Sequence, residues 1–148
     1  MKLLVVGSSK ASETYFVQAY NKIKQYFENI NEPFTVVNSD CKGIDRIAIQ
    51  VANDMGIPTE LVTIKTLGLT VEGRSDLFKK IKMANEEASK ISDRAVSFTL
   101  PYGTTIEKRG NARPKCRYCK QAGLPNNHER SDGCKFAQKV RDFEIVVL

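Results

Sequence analysis

Short continuous apolar runs recur along the chain, and the first three each lead into an amphipathic helical pattern. Leu3-Leu4-Val5-Val6 has no polar alternation, as expected of a strand buried on both faces. Gly7-Ser8-Ser9-Lys10 breaks it, and Ser12 is placed to cap a helix carrying Phe16, Ala19, Ile23, Phe27 and Ile30 at helical spacing. Pro33 precedes a second strand, Phe34–Val37. Ile44, Ile47, Ala48, Val51, Ala52 and Met55 then form one apolar stripe, stopped by Gly56 and Pro58. Glu60–Ile64, rich in β-branched residues, predicts strand three, and Leu77, Phe78, Ile81, Ala84, Ala88 and Ile91 predict helix three. Ala95–Leu100 and Phe143–Leu148 predict strands four and five. Such alternation predicts an α/β fold with about five mostly parallel strands, covered on both faces and joined by right-handed crossovers.

The alternation fails between strands four and five. Residues 101–142 are too many for a simple crossover and hold one short helical pattern, Phe136, Ala137 and Val140. A stretch that long inside a compact domain calls for a function or an ordering device. With 148 residues, 41% hydrophobic and 27% charged, the chain reads as one domain over 1–148, with 101–134 as an insertion. The run Leu3–Val6 is too short for a signal-peptide core or a membrane span, so a cytoplasmic location with reduced thiols is expected.

In that compartment the insertion's Cys116-x2-Cys119-x8-His128-x5-Cys134 reads as a metal site rather than as disulfides. Two cysteines two residues apart grip one tetrahedral ion through a tight turn, and the other two ligands return from a loop and a helix start. Pro114, Gly123, Pro125, Asn126, Asn127 and Gly133 supply turns for such a knuckle. A Cys3His set is soft and suits Zn²⁺, and four protein ligands leave no open position, so the expected role is structural. The chain's single histidine, thus committed, leaves none for a Ser-His or Cys-His active site. Cys41 stands apart and reads as a small packing residue near a turn.

A second motif lies after strand two. Ser39-Asp40-Cys41-Lys42-Gly43 is a small-residue turn, and Gly43-Ile44-Asp45-Arg46-Ile47-Ala48 opens a helix as G-x-D-x-x-A. Backbone N–H groups at such a turn favour an anion, with Lys42 and Arg46 adding positive charge. Asp45 is placed to hold a ribose hydroxyl or to complement the helix dipole. Here the chain resembles the SLOG superfamily of Rossmann-like proteins, which includes YspA-like, DprA/Smf-like and lonely-guy branches. Gly43, Asp45 and Ala48 match its G-G-x-x-G-x-D-x-x-A pattern, while Asn38 and Ser39 replace the Gly pair. Asn85 and Asp93 match a second family motif, with Ala84 at the usual Arg position. Cys116, Cys119, His128, Gly133 and Cys134 are similar to the C-terminal arrangement of phage-type YspA-like members. The resemblance implies a three-layer Rossmann-like fold binding a nucleotide or nucleotide-derived ligand at the C-terminal ends of the strands. By the crevice rule Gly7, Ser8, Ser39, Lys42, Gly43, Asp45, Asn85, Gly103 and Thr104 should lie there.

Two alternatives remain. Pro101, Gly103, Thr105 and Glu107 resemble part of the lonely-guy phosphoribohydrolase loop, which implies a nucleotide-processing hydrolase; that loop's spacing is one residue longer. Lys108, Arg109, Arg113, Lys115, Arg117 and Lys120, with Tyr118 among them, suit a nucleic-acid backbone and a stacked base, in line with the net charge of +6. The expected partners are therefore a nucleotide-like small molecule and, through loop 108–120, nucleic acid. A homo-oligomer is compatible with the sequence, and no membrane partner is expected.

Overall fold

A computed structural model describes residues 1–11 and 13–148; the expected cap Ser12 lies outside the described residues. Five strands form one sheet: β1 (Lys2–Gly7), β2 (Thr35–Asn38), β3 (Thr59–Leu61), β4 (Arg94–Thr99) and β5 (Phe143–Val147). Their order is β3-β2-β1-β4-β5, and every neighbouring pair is parallel. The three long helices are α1 (Phe16–Glu28), α2 (Ile44–Asp54) and α3 (Arg74–Lys90); α4 (Arg117–Gln121) and α5 (Asp132–Ala137) are short. The result is the expected three-layer, Rossmann-like α/β architecture.

The side-chain pattern explains the layers. Leu3, Val5, Val36, Val96 and Phe98 point to one face, where Ile23 and Phe27 of α1 and the stripe Ile44, Ile47, Ala48 and Val51 of α2 cover them. Leu4, Val6, Val37 and Ala95 point to the other, under Ala88 of α3 and Ala137 of α5. Central strands buried on both faces are why their sequences run apolar without alternation.

Several boundaries differ from expectation for physical reasons. Helix one begins as a 3-10 turn, Glu13–Tyr15, before α1 starts at Phe16. Strand three stops at Leu61, because Thr63 and Thr66 cross-link a turn: Thr63 N donates to Thr66 Oγ1 at 2.7 Å and Thr66 N to Thr63 Oγ1 at 3.1 Å. Hydroxyl competition of this kind overrides β-propensity. Helix three begins at Arg74, and its first turns miss the core: Phe78 is 60% exposed. Val140 falls beyond α5 but is buried. Among the described residues no helix is long and apolar enough to cross a membrane.

Chain order reverses between β1 and β4, so the crevice of the sheet opens beside Gly7. Residues 100–131 leave β4, form an excursion and return as α5, which packs on β1 and β4 beside that point.

Candidate ligand cleft and metal centre

The excursion is two arms pinned together. Pro101 pairs with His128 and Lys115 with Glu129 as isolated antiparallel bridges. Cys116 N donates to His128 O at 3.0 Å, and Arg130 N to Pro114 O at 2.8 Å. Glu129 is 1% exposed, and its carboxylate accepts from the Thr105 amide and, at 2.8 Å, from Thr105 Oγ1. This buried acceptor ties the loop after β4 to the returning arm, which nothing in the local sequence announces.

Cys116 and Cys119 bracket the first turn of α4, His128 sits on the returning arm, and Cys134 lies in α5. One ligand atom of each lies within 4.8 Å of the others, and all four residues are buried. Cys134 Sγ is 3.8 Å from His128 Nε2, while His128 Nδ1 is buried without a partner among the described residues. A ligating sulfur sits about 2.3 Å from zinc, which places neighbouring donors just under 4 Å apart. A metal ion at the centre would give the imidazole a partner and replace the thiol protons. Bonding among the thiols already separates their acidities. Donation from Cys134 holds the Cys116 thiol down to about 3, and the same contact drives Cys134 up. Burial pushes Cys119 up to about 11. Ser97 Oγ at 3.4 Å from Cys134 Sγ and Gln138 Nε2 at 3.6 Å from Cys119 Sγ are the outer contacts that metal-bound thiolates require. The residues present therefore fit a tetrahedral metal ion.

Beside this centre lies a cleft of about 340 Å³, with three walls. The end of β1, the turn after β2 and the start of α2 give Gly7, Ser9, Cys41, Lys42 and Asp45. Helix α3 gives Phe78, Ile81, Lys82 and Asn85. The segment carrying the Cys/His cluster gives Arg113, Tyr118, Arg130, Asp132, Lys135 and Phe136. Of its five cations only Arg113 has a salt bridge among the described residues, at 2.8 Å to Glu107; Lys42, Lys82, Arg130 and Lys135 have none. Asp45 is 5% exposed, and burial pushes its carboxyl up to about 7, against the Cys41 amide, which donates to it at 3.2 Å. Burial likewise raises the Cys41 thiol to about 11.

The nine residues expected at the ligand site separate into groups. Gly7, Lys42, Asp45 and Asn85 line the cleft. Ser8 is spent on the turn: its N donates to Phe98 O at 3.0 Å, its O accepts from Ile44 N at 3.1 Å, and its Oγ accepts from Lys10 N. Gly43, at φ +85°, approaches so closely that a Cβ would lie 2.3 Å from Ser8 O, and it faces a neighbouring hollow with Arg46. Ser39 lines a third hollow, which meets the cleft at Cys41 and Ile81. Gly103 and Thr104 lie in the turn after β4, outside the cleft wall. Asn38 braces the turn: its Nδ2 donates to Val5 O and Asp45 O, both at 3.1 Å. In the basic loop, Arg113 and Tyr118 line the cleft, and Lys108, Arg109, Lys115, Arg117 and Lys120 are exposed.

Arg130, Asp132, Lys135 and Phe136 were not among the expected site residues. Their proximity in sequence to His128 and Cys134 is the one signal that could have singled them out. No family model matches this chain, and neither a curated protein nor a solved structure compared with it does so.

Proposed function

We propose that the protein is a SLOG-type binding module for a nucleotide or nucleotide-derived ligand, held at the switch-point cleft, with a structural zinc at Cys116, Cys119, His128 and Cys134. The carrying observation is the cleft's charge: Lys42, Lys82, Arg130 and Lys135 converge without salt-bridge partners at the place where α/β sheets take ligands. Unpaired cations in a concave site favour an anionic group such as phosphate. Phe78 and Tyr118 offer apolar faces for a base, and Asp45 offers an acceptor for a sugar hydroxyl. Glu107, the carboxylate of the hydrolase alternative, does not line the cleft and is tied up in an ion pair with Arg113, which favours binding over that chemistry.

Zinc is the metal chosen because three thiols and an imidazole form a soft, closed donor set. The role is structural, as all four ligands are protein groups and buried.

The test is isothermal titration with nucleoside mono- and diphosphates, inorganic phosphate serving as control, on protein whose zinc content is measured. One zinc per chain and binding of at least one nucleotide are expected, with affinity about tenfold weaker in Lys42→Gln and in Arg130→Gln. No nucleotide binding would overturn the reading. Steeply salt-dependent DNA or RNA binding would then favour the exposed cations of loop 108–120, where Lys115 also lies 5.2 Å over the ring of Tyr102.

A further inference from the structure

We infer that the metal centre controls the cleft: ion binding at Cys116, Cys119, His128 and Cys134 and anion binding in the cleft are positively coupled. The inference rests on the cleft being an anion site.

Every cation of the third wall lies close in sequence to a metal-ligating position. Arg113 precedes Cys116, Arg130 follows His128, and Lys135 follows Cys134 directly. The wall's own architecture is slight. Helices α4 and α5 have five and six residues, too short to persist alone. Between Arg113 and Cys134 the buried apolar groups are the three thiols themselves, packed with Tyr118, Leu124 and Ile145; only Phe136 and Ala137 at the segment's end add to them. The arms are joined by hydrogen bonds with little apolar packing behind them, including Arg113 Nε to Arg130 O at 3.0 Å and Tyr118 OH to Asp132 Oδ1 at 3.1 Å.

These bonds hold like charges in one cleft, since Arg113, Arg130 and Lys135 of this wall share it with Lys42 and Lys82, and Lys82 acts directly on Lys135. Carboxylates facing the same space are Asp45 and Asp132. Two interactions favour this arrangement: an ion gripping the four donors offsets the ordering cost, and an anion among the cations offsets the excess positive charge. Each favours the same arrangement of residues 113–136, so each strengthens the other by the same factor. The first two walls belong to the sheet and α3 and do not depend on the metal.

The experiment uses the full chain with one zinc, and the same chain after chelation and gel filtration. Adenosine 5′-monophosphate is titrated into both, followed by amide NMR shifts at Ser9, Lys42 and Asn85. Hydrogen exchange is recorded on both forms. The expected result is affinity about tenfold or more weaker without zinc, with exchange protection lost over 100–137 and kept in β1, β2 and α1. Zinc affinity, from competition with a chromophoric chelator, should rise by the same factor when the nucleotide is present. Equal nucleotide affinity in the two forms would overturn the coupling and leave the cleft reading standing. Loss of protection throughout the sheet would also overturn it, since the metal would then support the fold and not this wall. No shift in either form, with adenosine 5′-monophosphate or with the other nucleoside mono- and diphosphates, would overturn the cleft reading and the coupling together.

Discussion

Asp45 shows how burial changes the meaning of a residue. In the sequence it stands in a G-x-D turn, as a hydroxyl acceptor or a complement to the helix dipole. In the fold it is nearly enclosed, and its carboxyl rises to about 7, chiefly through burial. An unfolded aspartate titrates near 3.9. Between those values the folded chain keeps a proton that the unfolded chain has released. Its contribution to stability is therefore complete below about pH 4, declines as pH rises towards 7, and is gone above. Asp45→Asn keeps the shape and an acceptor for the Cys41 amide but cannot ionise. Its urea midpoint should fall less than wild type between pH 4 and 7, and its relative stability should be greatest at pH 8. Parallel profiles would show that Asp45 is ionised throughout. Asn38 makes the complementary point: it stands where the resembled family has glycine, and only the fold shows its amide bracing β1 and α2.

Among the elements, α5 does the most with the least. Its six residues present a metal-ligating position at Cys134, cover the sheet with Ala137, and line the cleft with Lys135 and Phe136. Ser131 caps it by accepting from Gly133 N at 3.2 Å, and Ser89 Oγ donates to Phe136 O at 3.1 Å. The tightest constraint is at Gly133, where a Cβ would lie 2.5 Å from Gly7 N and 2.7 Å from Gly7 Cα. Gly133→Ala must push α5 off β1. The expected cost is about 1–3 kcal/mol in denaturant unfolding, with weaker metal retention because Cys134 moves with the helix. Ser131→Ala, which removes only the cap, should cost about 1 kcal/mol and leave metal affinity close to wild type. Similar effects on metal from both would mean that the cap, not the close approach, seats the helix. In the sequence Gly133 reads as a turn residue of the knuckle. Its real neighbour sits at the other end of the chain, and local spacing carries no trace of such a contact.

For the whole molecule, legibility followed the range of the interactions. Strand and helix identity over 1–100 depends on local periodicity, and the parallel sheet follows from connection rules. The convergence of Cys116, Cys119, His128 and Cys134 was legible too, since a knuckle's spacing is set by the reach of a few residues. The third wall of the cleft was not, because it depends on how a long excursion closes over the sheet. That division implies separable stabilities. Ile23 lies in the core between α1 and the sheet, away from the metal centre. Ile23→Val should cost about 0.5–1.5 kcal/mol in urea unfolding while the protein retains its full metal content. His128→Ala removes a ligand from the opposite side of the sheet's architecture and should abolish stoichiometric metal, with the far-UV spectrum of the sheet and its long helices largely kept. Metal analysis and circular dichroism on the two purified variants decide the matter. Loss of metal in Ile23→Val, or loss of all regular structure in His128→Ala, would show that the α/β layers and the metal-bearing excursion unfold as one unit.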